Sequence, residues 1–363
     1  MKRKLLPALI LASLAGAASA QTGSQISIYG LVDSGVEYVN NVNAAGDSVV
    51  RVPSLTGSFP SRIGFRGAED LGNGSSAIFQ LESGFGLDTG VSGQGGRLFG
   101  RQSWVGLKGS YGSLTIGRQY NMSFHSLVKA DVMGPSIHAL TNMDSYLPNA
   151  RSDNSLAYIG NFGGVVLGAS HSFGRDASPA GAAGPSATNC AGEAAADARA
   201  CRQQTALLGY DTQRWGVYTS WDKQYGNTGA TNGLSSSAHS DRRVAVSGYA
   251  LAGEVKIGAG WMRRDTVNAA PSASDLYFIG ASLPLGQWTY DAQYAALDVR
   301  DAPAKSALIT ARATYALSKR SALYASCGHI RNRGGAAIAV DAGGTVGKGM
   351  NQSGLMTGIR HTF

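Results

Sequence analysis

Gln25-Ile-Ser-Ile-Tyr-Gly-Leu-Val-Asp-Ser-Gly-Val-Glu-Tyr-Val39 alternates strictly enough to decide the fold class. Ile26, Ile28, Val32, Val36 and Tyr38 share one parity, and Ser27, Asp33 and Glu37 share the other. A period of two sustained over this length predicts a long β-strand with one apolar face. The pattern then returns. Ile63 and Phe65 oppose Arg62 and Arg66 within Ser61–Asp70, and Leu71-Gly-Asn-Gly74 carries the Asn-Gly signal of a tight hairpin. In Ser75–Leu87, Ala77, Phe79, Leu81 and Phe85 oppose Ser76, Gln80 and Glu82.

A strand-like run from Arg97 to Leu107 turns at Lys108–Tyr111 and pairs with Gly112–Gln119. Arg101 shares its parity with Ser103, Val105 and Leu107, and Arg118 shares its parity with Leu114 and Ile116, so alternation alone does not assign either arginine to the polar face. About thirty residues without strand periodicity come next, 120–150, before the pattern resumes after Arg151. A loop that long inside a regular β-chain tends to be functional. Beyond it, strand pairs meet across 162–164, 211–214, 251–253, 284–286 and 318–321, alternating with long polar loops, and 355–363 closes the chain. The pattern gives sixteen strands joined alternately by short turns and long loops. Several run to ten residues or more, as tilted membrane strands of about nine to eleven residues do, where the strands of a soluble sandwich are shorter. An even number of such strands predicts an all-β transmembrane antiparallel barrel spanning 21–363.

The ends and composition agree. Lys2, Arg3 and Lys4, the apolar run Leu5–Ala17 and Ala18-Ser-Ala20 have the layout of a cleavable secretory signal peptide over 1–20. The mean hydropathy of −0.08 suits a barrel whose lipid-facing and lumen-facing residues cancel. Fifty glycines against ten prolines fit tight turns and curved sheet. Cys190 and Cys201 lie in one loop of an exported chain, so a disulfide between them is expected, while Cys327 reads as a small packing residue inside a strand. No C-x-x-C, H-E-x-x-H, P-loop or G-x-S-x-G motif occurs, and the six histidines lack ligand spacing, so no enzyme, metal or cofactor is expected. Despite an isoelectric point near 9.4, the arginines are dispersed along strands, against a nucleic-acid partner. Tyr29, Tyr38, Trp104, Tyr210, Trp215, Tyr290, Tyr294, Tyr324 and Phe363 are candidates for interfacial aromatic girdles.

Seven stretches carry a resemblance to the Gram-negative general diffusion porins, in particular the trimeric sixteen-stranded porins of β-proteobacteria. They are Ile28–Asp33, Ser61–Gly72, Ile78–Gly84, Gly96–Gln102, Thr115–Tyr120, Tyr315–Arg320 and Gly358–Phe363. The resemblance implies an outer-membrane location, a homotrimer, and contact with outer-membrane lipid and lipopolysaccharide. It also implies that Phe363 is the assembly signal for the barrel assembly machinery, and that the third long loop, 120–150, folds into the lumen as a constriction. Matching motif by motif gives Arg62, Arg101 and Arg151 as the basic wall, Glu82 as a wall carboxylate, and Asp131, with Asp144 second, as the acid on the loop. The loop lacks the Pro-Glu-Phe-Gly motif of the enteric branch. Three arginines over one or two acids leave positive potential in the lumen. The expected function is a water-filled channel for passive diffusion of small hydrophilic solutes, weakly selective for anions. The alternative is a channel specific for one carboxylate or phosphate.

Overall fold

A computed structural model describes residues 25–147, 150–178 and 188–363. The expected signal peptide lies outside them. Sixteen long strands form one sheet, every neighbouring pair antiparallel. In chain order they are β1 Gln25–Val39, β2 Arg62–Gly72, β3 Ser75–Gly84, β4 Gln102–Gly109, β5 Gly112–Tyr120, β6 Arg151–Phe162, β7 Val165–Ser172 and β8 Gln203–Asp211. They continue as β9 Trp215–Tyr225, β10 Ser240–Ala252, β11 Val255–Val267, β12 Ser272–Leu285, β13 Trp288–Val299, β14 Lys305–Ala316, β15 Ser321–Arg333 and β16 Gln352–Thr362. A three-residue strand, Val49–Arg51, adds to the end of β1.

β1 closes the sheet by pairing with two strands. Its first half, Gln25–Leu31, lies against Ala68–Arg62 of β2, and its second half, Leu31–Val39, against Thr362–Gly354 of β16. Closure is what the surroundings demand, since hydrocarbon offers no partner to an open strand edge. The seam is finished by the last residue. Gly30 and Phe363 exchange backbone hydrogen bonds of 3.0 and 3.1 Å, and the Phe363 ring lies where a side chain at position 30 would have to go.

The alternation sorts residues as a membrane barrel requires. Ile28, Leu208, Ile279, Ile309 and Leu355 are outward and exposed, while Thr205, Ser220, Asp222, Ser247, Gln293 and Thr310 are inward and buried. Tyr38, Tyr210, Trp215, Tyr290, Tyr294 and Phe363 join the exposed set. Tyr29, Trp104 and Tyr324 do not: their polar ends bond to Glu82, Gln102 and Asp33 on the inward face. Cys327 is exposed on the outward face rather than packed inside.

Two local irregularities explain why parity left Arg101 and Arg118 unassigned. β4 begins at Gln102, so Arg101 lies before the strand and the parity of Val105 and Leu107 does not govern it. β5 contains an irregularity at Gly117, whose φ of +130° only glycine adopts readily. The register shift there carries Arg118 off the lipid-facing parity, and its guanidinium donates to Gly100 and pairs with Asp153. At the Asn73-Gly74 hairpin both residues have positive φ, 52° and 74°, as the type I′ turn needs.

The interior is not uniformly polar. Met262, Leu276, Phe278, Leu308 and Ile330 are inward-facing on β11, β12, β14 and β15, and all are buried. What covers them is the aperiodic segment between β5 and β6. Leu127, Ala130, Leu140, Met143 and Leu147 form one cluster with them. Each buried side chain of this size contributes about 1.5–3 kcal/mol, so this apolar strip is the seat that holds the segment against one wall. Inside it, Met122–Leu127 forms a short helix α1, capped by Asn121, whose side chain accepts the Ser123 amide.

Candidate pore constriction

The ends of five adjacent strands converge on one cluster. Arg62 opens β2, Glu82 is near the end of β3, Arg101 precedes β4, Tyr120 ends β5 and Arg151 opens β6. The ladder sets the spacing: Arg62 pairs with Gly84, Glu82 with Gln102, and Tyr120 with Arg151. The Arg101 amide donates to the Glu82 carbonyl at 3.0 Å.

Glu82 is the hub. Its Oε1 accepts Arg101 Nε at 2.6 Å, and its Oε2 accepts Tyr29 Oη at 2.8 Å and lies 3.7 Å from Arg62 Nε. Tyr120 is a second hub. Its Oη accepts Arg101 Nη2 at 3.0 Å and Arg151 Nη2 at 2.6 Å. The Arg151 guanidinium also lies 4.4 Å from the centroid of the Tyr120 ring, which stacks at 3.6 Å on Phe124 of α1. Two cations, Arg62 and Arg101, therefore share the Glu82 carboxylate, and the Tyr120 hydroxyl holds Arg101 and Arg151 side by side. Among the groups of this cluster the guanidiniums outnumber the carboxylate. Arg101 and Arg151 are buried, whereas the Arg62 side chain is 25% exposed and is the guanidinium most open to the lumen.

The structure brings Arg62, Arg101, Arg151 and Glu82 together but leaves Asp131 elsewhere. Asp131 Oδ1 accepts the amides of Met133 and Gly134 and the Gln293 side chain at 2.9–3.1 Å. Burial pushes its carboxyl above the usual range against the pull of those bonds. Among the described residues it forms no ion pair with the three wall arginines. Asp144 meets a different set. Its two oxygens accept Arg243 Nε and Nη2 at 2.8 and 3.2 Å, and Arg243 continues to Asp241 at 3.0 Å, which also holds Arg264 at 2.9 Å. Burial would raise the Asp144 carboxyl, but the neighbouring Arg243 and Arg264 hold it below the ordinary carboxylate range.

A cavity of about 680 Å³ lies between these groups. Arg101 and Ser61 line one side, Asp144, Ser145 and Arg264 another. The arrangement can impose a field across a water-filled passage and offer guanidinium donors to a passing anion. Periodicity alone points to neither Tyr120 nor Arg243 as part of this site. Arg243 was within reach, because it shares its parity with Ala245 and Ser247 on the inward face. Tyr120 was hidden by the irregularity at Gly117. A third group has no signal in the spacing: Arg97 and Arg118 both pair with Asp153, and Arg97 reaches Asp176 at 3.3 Å. Cys190 and Cys201 are joined by a disulfide in the same loop region as Asp176, whose backbone bridges to Cys190.

Comparison with known proteins agrees with this fold. Residues 8–335 match the family model described as Gram-negative porin. The chain is 30% identical over 395 residues to outer membrane porin protein 32 of Delftia acidovorans, with all of both chains covered. It is 39% identical over 188 residues to an outer membrane porin protein of Bordetella pertussis, covering 48% of each. Among solved structures, the anion-selective porin from Comamonas acidovorans superposes with a TM-score of 0.77 at 26% identity, covering 94% of this chain and all of that one. The chain belongs to the Gram-negative porin family of outer-membrane β-barrels.

Proposed function

We propose that the protein is a passive, water-filled channel for small hydrophilic solutes whose constriction favours anions weakly. The observation that carries the reading is the cluster itself, in which Arg62 and Arg101 share the single carboxylate of Glu82 and Arg151 is held beside them on Tyr120. The segment 120–150 narrows the passage, seated on its apolar strip and latched by Asp144 to Arg243. Among the described residues, neither of its acids pairs with the three wall arginines: Asp144, across the cavity from Arg101, is bound to Arg243, and Asp131 is bound to Gln293. The similarity to a porin named as anion-selective supports the same sign. Homotrimer formation, residence among outer-membrane lipid and lipopolysaccharide, recognition of Phe363 by the barrel assembly machinery, and removal of residues 1–20 complete the proposal. A general channel rather than a solute-specific one follows from the 25% exposure of Arg62 and from a cavity larger than a single small anion. Single-channel recording tests this. Conductance rising in proportion to salt, without saturation by any one carboxylate or phosphate at the constriction, supports the general channel. Saturation that disappears in Arg101→Gln supports the specific one.

A further inference from the structure

A second cavity, of about 350 Å³, lies at the end of the barrel carrying the short turns. Gln287 and the turn Ser318–Ser321 border it, and inward-facing residues of β2, β13, β14 and β16 form its wall. Its composition is one-sided. Arg62, Lys319, Arg320 and Arg360 all line it, and none of its lining residues is a carboxylate. The nearby acids are engaged elsewhere. Asp33 accepts Ser58 Oγ, the Phe59 amide and Tyr324 Oη, and Asp291 is paired with Arg312 at 2.8 Å. Arg360 has no carboxylate within ion-pair distance among the described residues. Its Nη1 donates to Ser58 Oγ at 3.1 Å, and its guanidinium lies 5.2 Å from the centroid of the Phe59 ring, which Arg312 also approaches at 5.6 Å. That ring positions Arg360 without neutralising it.

We infer that this cavity is a second anion site, at the short-turn mouth, for a small multivalent oxyanion such as inorganic phosphate. A tetrahedral oxyanion presents several acceptor oxygens, which match forked guanidinium donors better than a spherical halide does. Thr289, Thr314 and Thr362 supply further hydroxyl donors in the same lining. Arg62 belongs to this cavity and to the Glu82 cluster, so the two sites are adjacent stations on one path. The inference rests on the lumen being a solute passage.

The test is calorimetric titration of inorganic phosphate into the detergent-solubilised oligomer at low ionic strength, for wild type, Arg320→Gln/Arg360→Gln and Arg101→Gln. Saturable binding is expected in wild type, weakened about tenfold or more in the double variant and changed by less than about threefold in Arg101→Gln. Lys319→Gln, on the exposed turn, should give a smaller loss and guards against misfolding of the double variant. Absence of saturable binding in wild type, equal binding by wild type and the double variant, or complete loss in Arg101→Gln would overturn the site. Chloride preference measured on the same double variant reports on the constriction independently.

Discussion

Asp144→Asn isolates the latch between the inner segment and the wall. The substitution keeps the shape and removes the charge that accepts two guanidinium bonds from Arg243, at 2.8 and 3.2 Å. The two side chains are 5% and 3% exposed. Removing one partner of a buried pair costs about 3–5 kcal/mol when the other charge is stranded. Arg243 is not stranded, because Asp241 remains at 3.0 Å, so the cost falls toward that of the charge-assisted bonds themselves, about 1.5–3 kcal/mol. About 1.5–3 kcal/mol lost from the latch corresponds to a roughly 10- to 140-fold rise in local opening at 1.4 kcal/mol per tenfold. The barrel ladder is untouched, and Tyr146 and Ser123 still bind Asp222, so opening should centre on 143–147. Hydrogen exchange followed by mass spectrometry reads this directly, and single-channel current noise should rise with it. Unchanged exchange over 143–147, with the barrel intact, would refute the assignment of Asp144 as the anchor.

Three other perturbations act on different parts of the same geometry. Burial holds the His125 imidazole down at about 4 from an ordinary 6.5. The packed segment therefore accommodates the neutral ring, and its stabilisation is complete above pH 6.5 and is lost as pH falls toward 4. Channel closures should become more frequent over that window in wild type and stay flat in His125→Gln, and identical pH profiles would contradict the assignment. Reducing the Cys190–Cys201 bridge, whose partners are 11 residues apart, should cost the loop about 3 kcal/mol, accelerating proteolysis around 188–202 while conductance persists; unaltered cleavage would remove any stabilising role. Deleting Phe363 removes two backbone bonds to Gly30 and the ring covering it, about 1 kcal/mol per bond. The yield of folded, heat-modifiable barrel should drop and Phe363→Tyr should restore it, whereas a full yield on deletion would refute the closing role.

The barrel was legible because its information is local. Alternation counted the sixteen strands, and short turns between long loops gave the order of the hairpins. Parity was silent where one residue breaks the period: at Gly117, where the register shifts beneath Arg118, and at Gln102, where β4 begins one residue after Arg101. The grouping of Arg62, Glu82, Arg101 and Arg151 came from resemblance, and parity supported only the first two. The partners of Asp131 and Asp144 were beyond reach for a physical reason. The segment 120–150 has no regular backbone, so nothing in its spacing says which side chains face which wall, and the residues it meets, Gln293 and Arg243, lie 162 and 99 positions away. One signal was present. Leu276-Tyr-Phe-Ile279 is apolar on both parities, and a polar-lined barrel places such residues inward only where something covers them.

The proposed sign of selectivity rests on the arginine cluster in which Arg62 and Arg101 share one glutamate, and the zero-current potential across a planar bilayer in a tenfold KCl gradient measures that sign directly. A reversal potential displaced toward chloride is expected in wild type, and a smaller displacement in Arg62→Gln and Arg101→Gln. A wild-type potential displaced toward potassium, or one that neither substitution moves, would contradict the proposal.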